Sequence, residues 1–520
     1  MFPNHPFFVE RLKIDPGGVD FLGMRQATLD LREKCLPGFS NSTELIRPFS
    51  VMCWVYWKLN EIAKSEGLAT ITTSQARSYR EKAEVLFTWG HKLKGFEGLP
   101  GISFGPPQES NGTVSLTFAD WHRIPSSTGL MAAVNYGPAL KTTIGLGFLN
   151  PIENDVFQPV RAGVALAHAL DQELQKHGLP SALHSMEVNV GTAADALRAF
   201  AGWSVAEPSA KERAAFRDAF YDAQGTDSRT AMGLRSATVA LILEVLKRTD
   251  APLTVDEIRE HMFWGPSALS SFSITPSVEA ARKRWIVFLV RQAQRIAMEA
   301  LLSWVEKRII MDGDSTTDAL ARAGQKACVG DSDLAGGVTG YVERRLGHAF
   351  RDLEQAIEAG ATTAEVSIFH LMRQVRLFIR NEVDEIIPAA LRLLGVCREY
   401  TIVMEEVAEL RSSLRHGGAE ALSLVNWRET IDRTHHLDMK DFLLVVIEEL
   451  VLSQHLAVAT RRYDGGVVRL RVTLEEEGLR ALVAKPWKPA PAADKLASGL
   501  SLMAECGLVE RAAGGRYVAS

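Results

Sequence analysis

Apolar positions recur at helical spacing through most of this chain, and the strongest run covers residues 277–310. Trp285, Leu289, Ile296, Ala300 and Trp304 form one stripe, and Ile286, Phe288, Ala293, Ala297 and Leu301 widen it beyond a single face. A helix apolar on two faces is expected inside a domain, with other helices around it. At 1.5 Å per residue it would reach about 50 Å. Pro276 precedes it, Ser277 with Glu279 can cap it, and Asp312, Gly313 and Asp314 end it. Its cations Arg282, Lys283, Arg284, Arg291 and Arg295 read as a solvated edge or as buried ion pairs, in preference to a nucleic-acid stripe.

The N-terminal pattern predicts a loop followed by an amphipathic helix, RQATLDLREKCL. A second helix follows residues 42–44, where Ser42 and Thr43 offer hydroxyl caps, and Pro48 should kink or restart it. Its aromatic run Phe49, Trp54, Tyr56 and Trp57 covers several faces, which favours core packing over a ligand box. A third helix turns Tyr79, Ala83, Leu86 and Phe87 inward. The order D-x-L-G-M (residues 20–24), helix, L-P-G-x-S-N (residues 36–41), then Arg47 and the aromatic helix at Trp54, resembles the start of certain uncharacterised bacterial proteins of defence-type gene neighbourhoods. The resemblance covers roughly the first hundred residues and implies a setting within a multi-gene system, not a mechanism.

Residues 98–149 are dense in Gly, Pro and Ser, with short apolar runs at 113–118 and 142–148 that predict irregular strands. A helix is expected over 162–177, and short helices with a hinge near 225–233 follow. Residues 236–263 have the cadence with which a winged helix opens: an apolar helix, a turn at Pro252, a Thr254 cap and a second helix from Val255. The long helix follows where a recognition helix and wing should be, so a plain helical domain is the preferred reading there. Residues 312–340 read as loop, and helices are expected at 341–359, 363–382 and 388–410, with a break at His416, Gly417 and Gly418. Near the C-terminus come a helix over 439–463, a strand at 467–473, a short helix at 474–482, a Pro-rich spacer, a helix capped by Asp494 and two strands about a Gly-Gly turn. That ending is how winged domains finish.

The pattern therefore predicts a mainly α protein, a multi-helical scaffold with a small mixed α/β insertion and a C-terminal winged-helix-like α+β module. Its regions are 1–97 (N-terminal helical), 98–235 (mixed, Gly/Pro-rich, with helices), 236–425 (central helical) and 426–520 (winged-helix-like).

Composition narrows the function classes. At 520 residues the chain exceeds one ordinary core. A formal charge of −5 argues against a whole-chain nucleic-acid coat or a membrane-surface protein. Five scattered cysteines without a C-x-x-C pair point to a reducing compartment. Residues 442–459 are apolar but interrupted by Glu448, Glu449 and His455, so no membrane span is expected; residues 1–15 lack a basic stretch followed by an apolar one, so no secretory signal is expected, and the expected placement is cytoplasmic.

No phosphate-cradling loop motif occurs, and Gly145 and Gly147 lack a third glycine and a helix start. His435, His436 and Asp438 have ligand chemistry but no converging partner, and neither metal nor cofactor is expected. The acids Asp312, Asp314, Asp318, Asp331 and Asp333 read as solvated loop residues rather than a two-metal centre. Asp120 and His122 are the weak catalytic candidates. Over residues 461–520, ten Lys/Arg face seven Asp/Glu, a local charge of +3. Within it Arg461, Arg462, Arg469, Arg471, Lys495, Arg511 and Arg516 are the candidate nucleic-acid contacts. The leading expectation is a non-enzymatic scaffold component of a bacterial multi-gene system of anti-phage type. It would bind DNA through the C-terminal domain or protein partners encoded nearby. The alternative is a nuclease or other hydrolase with its site around Asp120 and His122.

Overall fold

The computed structural model describes the whole chain apart from residues 1–12, 15–19, 104–107, 122–128, 226–228, 250, 265–274, 314–315, 332–333, 335–366 and 464–466. It is mainly helical, at 62% helix, about twice the share of an ordinary globular protein. The strands described are short and lie in five two-stranded pairings.

The chain divides into two compact units, each assembled from three stretches. One comprises Met1–Arg32, Phe263–Ile274 and Arg282–Ala492, and the other Glu33–Met262, Thr275–Ala281 and Ala493–Ser520. This replaces the four consecutive regions of the sequence reading, because packing partners come from opposite ends of the chain. Residues 426–520 in particular do not form one module: 426–492 belong to the first unit and 493–520 to the second.

The first unit contains most of the long helix, Pro276–Lys307, which continues as a π-turn over Arg308–Asp312 and stops at Gly313 in the left-handed region, φ 72°. Trp285, Phe288, Val290, Ala293, Ile296, Leu302 and Trp304 are buried, as expected of a helix without an outer face. Its buried polar groups are tied inside the same unit. Arg291 donates to the carbonyls of Ala421 and Leu422, Arg295 pairs with Glu299 at 3.1 Å and donates to Ala490, and Glu306 pairs with Arg471. Ile368–Asn381, Ile386–Glu405, Thr317–Val329 and Leu424–Thr434 are its other main helices. Met439–Arg461 is long and apolar enough, by length and composition alone, to cross a bilayer, but 61% of its apolar window is buried within the protein, the packing of an interior helix. Residues 474–482 are not helical. Val472–Glu475 and Gly478–Ala481 form an antiparallel hairpin, closed where Gly478 takes φ 118°, a conformation that side chains disfavour. The helix expected over 341–359 lies outside the described residues.

The second unit packs Arg47–Ser65, Thr73–Leu93, Arg161–His177, Ala193–Trp203 and Ala210–Phe220 around Phe49, Trp54, Trp89, Phe148, Trp203 and Phe216. Pro48 stands in the first turn of its helix, so the helix restarts there and Ser42 and Thr43 are not its caps. Gly90 is fixed by close approach: a Cβ there would lie 2.3 Å from the Ala196 carbonyl. Arg47 is buried against Glu212 at 2.9 Å and also donates to the carbonyls of Gly202 and Glu207. The strand expected at 142–148 is a set of turns, and the strand proper begins at Leu149, pairing Leu149–Glu153 with Val156–Pro159.

The middle of the chain and its C-terminal stretch meet in this unit. Ala231–Lys247 and Val255–Trp264 are joined through Leu253, whose backbone exchanges hydrogen bonds with Tyr517 at 3.0 and 2.8 Å. Tyr517 lies in the terminal hairpin, Val509–Ala512 with Arg516–Ala519, which follows the helix Leu496–Glu505. Arg259 binds Asp494 at 2.5 Å across 235 residues of sequence, and Arg516 donates to the Pro252 carbonyl at 2.7 Å. Thr254 and Glu257 form a reciprocal cap on the second of these helices.

Candidate functional site

The seven candidate cations are divided between the units. Arg461, Arg462, Arg469 and Arg471 fall in the first, Lys495, Arg511 and Arg516 in the second. Two are not available to phosphates. Arg471 is 6% exposed, held by Glu306 at 2.5 Å and stacked 4.8 Å from the Phe21 ring centre; Lys495 is 5% exposed, with Nζ 2.5 Å from Glu33. The sequence reading of these two as phosphate contacts is corrected: a carboxylate on an adjoining segment neutralises each. Arg461 pairs with Glu420 at 2.8 Å and Arg462 with Asp20 at 2.6 Å, and Arg516 approaches Glu257 at 3.3 Å. Arg469 and Arg511 are exposed.

Arg461 and Arg462 line a cleft of about 370 Å³ in the first unit, with Gly23, Gln26, Asp30, His416, Glu420 and Val458 among its walls. The D-x-L-G-M segment forms one side of it. Asp20 accepts the Arg25 amide and the Arg462 guanidinium, while Gln454 donates to the carbonyls of Leu22 and Glu420. Gly23 has φ +69°, and a Cβ there would stand 2.9 Å from Val458. The motif thus clamps the loop onto the helix Ser453–Arg461. His416 Nε2 donates to the Asp30 carboxylate, 2.9 Å away.

The predicted catalytic pair, Asp120 and His122, falls in the second unit. Asp120 is exposed in the short helix Phe118–Trp121 and accepts from Thr117 at 2.9 Å; His122 lies outside the described residues. Beside Phe118, the buried charges Arg80 and Glu84 and the half-buried Asp155, which sequence reading missed, line a cleft of about 220 Å³ with Phe118, Gly129, Met131 and Ala132. The helix Thr73–Leu93 sets Arg80 and Glu84 one turn apart on one face, and the turn between Leu149–Glu153 and Val156–Pro159 brings in Asp155. Arg80 Nη1 donates to Asp155 at 2.7 Å, and Arg77 donates twice to the same carboxylate at 2.9 and 2.8 Å. Burial alone would raise Asp155, but these hydrogen bonds outweigh it and hold its carboxyl below the usual range. Glu84 is 2% exposed and accepts the Leu130 amide at 2.6 Å. Burial pushes its carboxyl up to about 7, against the pull of Arg80. Its Oε1 forms an ion pair with Arg80 Nε at 3.3 Å, and the buried Tyr56 hydroxyl lies beside Arg80. The Arg80/Glu84 spacing was readable in the sequence, but the distant Asp155 and Gly129 that complete the cleft left no local signal.

The remaining candidates have structural partners. Asp438 caps the helix Met439–Val445, and the His435 and His436 ring centres are 6.2 Å apart. Asp318 pairs with Arg322 and Lys440, Asp312 with Arg308 and Asp331 with Arg392; Asp314 and Asp333 lie outside the described residues. Among the described residues there is no group of three or more His, Cys, Asp or Glu able to hold a metal ion. No family model matches the chain, and neither a curated protein nor a solved structure matches it.

Proposed function

We propose that this chain is a non-enzymatic scaffold that docks a protein partner. In this reading the helices Ala231–Lys247 and Val255–Trp264, the Leu253 bridge, the helix Leu496–Glu505 and the terminal hairpin form one winged-helix module split by the intervening sequence. The observation that supports docking over DNA reading is the state of the third helix. In helix-turn-helix proteins that helix enters the major groove. Here Leu496, Leu500, Leu502 and Met503 are fully buried, Ser498 donates to the Asn41 carbonyl at 2.8 Å, and Lys495 is tied to Glu33. What the module presents outward is its hairpin, with Glu510, Arg511 and the turn at Gly514 and Gly515 exposed. The resemblance of the first hundred residues supports a setting in a bacterial multi-gene, anti-phage system, and five buried free thiols fit a cytoplasmic chain.

The test pairs a DNA titration with partner capture. The full-length chain should bind neither duplex nor single-stranded DNA with salt dependence between roughly 50 and 200 mM. It should retain a protein that Arg511→Glu loses and that rebinds from purified components. Salt-dependent DNA binding, or capture indifferent to the hairpin variant, overturns the reading. A second reading, a hydrolase, is favoured by one observation: Glu84 titrates near neutrality in a cleft beside the Asp120 segment, as general acids and bases do. It requires a Glu84-dependent hydrolysis of nucleic acid in the presence of Mg²⁺, and its absence removes that reading.

A further inference from the structure

The helix Ile368–Asn381 of the first unit buries Ile368, Leu371, Val375 and Ile379 and turns a basic stripe the other way. Arg373, Leu377 and Arg380 recur at i, i+4 and i+7 and are exposed, Leu377 to 52%, with Arg376 half-buried on the same side one turn before Arg380. The 14 residues of this helix include no Asp or Glu, in a chain whose formal charge is −5. The acids that follow it are engaged elsewhere: Glu382 pairs with Lys488 at 2.8 Å and Asp384 with Lys307 at 3.0 Å. Among the described residues neither Arg376 nor Arg380 is ion-paired, whereas Arg392 and Arg398 of the next helix, Ile386–Glu405, each hold a carboxylate. Like charges three and four positions apart repel on a helix surface. Arg373 with Arg376, and Arg376 with Arg380, stand in that relation, and no acid is interleaved to relieve them.

We propose that this stripe docks an acidic amphipathic helix of a protein partner, whose carboxylates meet Arg376 and Arg380 and whose apolar side chains cover Leu377. Charge complementarity sets the sign of the partner, and guanidinium suits the role because it pairs with carboxylates through two parallel hydrogen bonds. The exposed leucine decides the class of partner. A phosphate backbone offers nothing apolar to cover it, whereas an amphipathic helix presents carboxylates and apolar side chains together. An apolar centre with cations around it is also how protein interfaces are built. The inference shares with the reading above only that the chain docks protein; its surface lies in the first unit and the terminal hairpin in the second.

The experiment is an anisotropy titration of the full chain with three labelled probes: a synthetic helical peptide of glutamates and leucines, the same peptide with glutamine for each glutamate, and a duplex DNA oligonucleotide. The glutamate peptide should bind in the micromolar range, and the glutamine peptide at least about tenfold more weakly. Arg376→Glu combined with Arg380→Glu should weaken the glutamate peptide by about tenfold or more, and Leu377→Ala by about three- to tenfold. Arg511→Glu should leave this binding unchanged, which separates a failure here from a failure of the hairpin reading. In the free chain Arg376→Glu should not lower the melting temperature, because it turns two repulsive pairs into attractive ones, so a loss of binding is not a loss of fold. No binding of the glutamate peptide at about 100 µM overturns the proposal, as does equal binding of the glutamine peptide. Duplex DNA bound more tightly than the peptide, through the same two arginines, overturns it as well.

Discussion

Replacing Arg471 by Met separates its two readings, phosphate contact and internal strut. In the structure the guanidinium meets Glu306 at 2.5 and 3.0 Å, donates to the Lys485 carbonyl at 3.1 Å and lies over the rings of Phe21 and Trp487. Glu306 is fully buried, so the variant would leave a carboxylate whose other hydrogen bond, among the described residues, is from the Trp487 amide at 2.6 Å. Breaking a buried pair from one side costs about 3–5 kcal/mol. Burial already pushes the Glu306 carboxyl up, so it takes a proton more readily once Arg471 is gone, and the loss should shrink as pH falls. At neutral pH the melting temperature of the first unit should fall on the order of 10 °C, taking about 2–4 °C per kcal/mol for a domain of that size. Scanning calorimetry of the full chain reads this directly. Arg471→Met combined with Glu306→Gln should recover most of the loss, since replacing both partners removes the stranded charge. A single variant melting within about 2 °C of wild type would refute the strut. So would a single variant that loses DNA affinity without losing stability.

Three further outcomes follow from the same geometry. Glu84 has its folded-state carboxyl raised from 4.5 to about 7, in the company of Arg80, Arg77, Asp155 and Glu81, so its contribution is present at low pH and is lost as pH rises through that window. Glu84→Gln should therefore gain on wild type by an amount on the order of 3 kcal/mol between pH 5 and 8; a pH-independent difference in denaturation midpoints would count against it. Gly90→Ala should cost about 1–3 kcal/mol by forcing the helices Thr73–Leu93 and Ala193–Trp203 apart, whereas Gly330→Ala, with nothing near its Cβ, serves as the neutral control in thermal melts. Asp494→Ala removes the Arg259 pair and the Leu496 cap and should cost about 1–3 kcal/mol. Hydrogen exchange should quicken in Val255–Trp264 as well as in Leu496–Glu505, and loosening of the latter alone would show that the halves do not act together.

The helices were legible because their signals are local. The stripe of the long helix, the Thr254 cap, Pro48 and the Gly-Gly turn each depend on residues within a few positions of one another, and each appears where the pattern predicts it. The hairpin at 472–481 was misread because its alternation is short, and the acidic run Glu475–Glu477 suits a helix as well as a turn. The pairing of Val472–Glu475 with Gly478–Ala481, closed by the φ of 118° at Gly478, decides between them.

The division into units could not be read locally for the same reason. The helices at 231–264 and the helix and hairpin at 496–519 each carry local signals in the sequence, but the contacts between them are made by Leu253 with Tyr517 and Arg259 with Asp494. Neither contact has a local signature, so the ending was attached to its neighbours in sequence. Charge counting failed similarly at the basic candidates. A sum of +3 over 461–520 records which side chains carry charge but not the acids that face them, and Asp20, Glu33, Glu257, Glu306 and Glu420 all lie outside that window. Arg469 and Arg511 remain as exposed members of that set. Arg511→Glu tests the terminal hairpin at an exposed position, and Arg469→Glu tests the exposed arginine of the first unit in the same way.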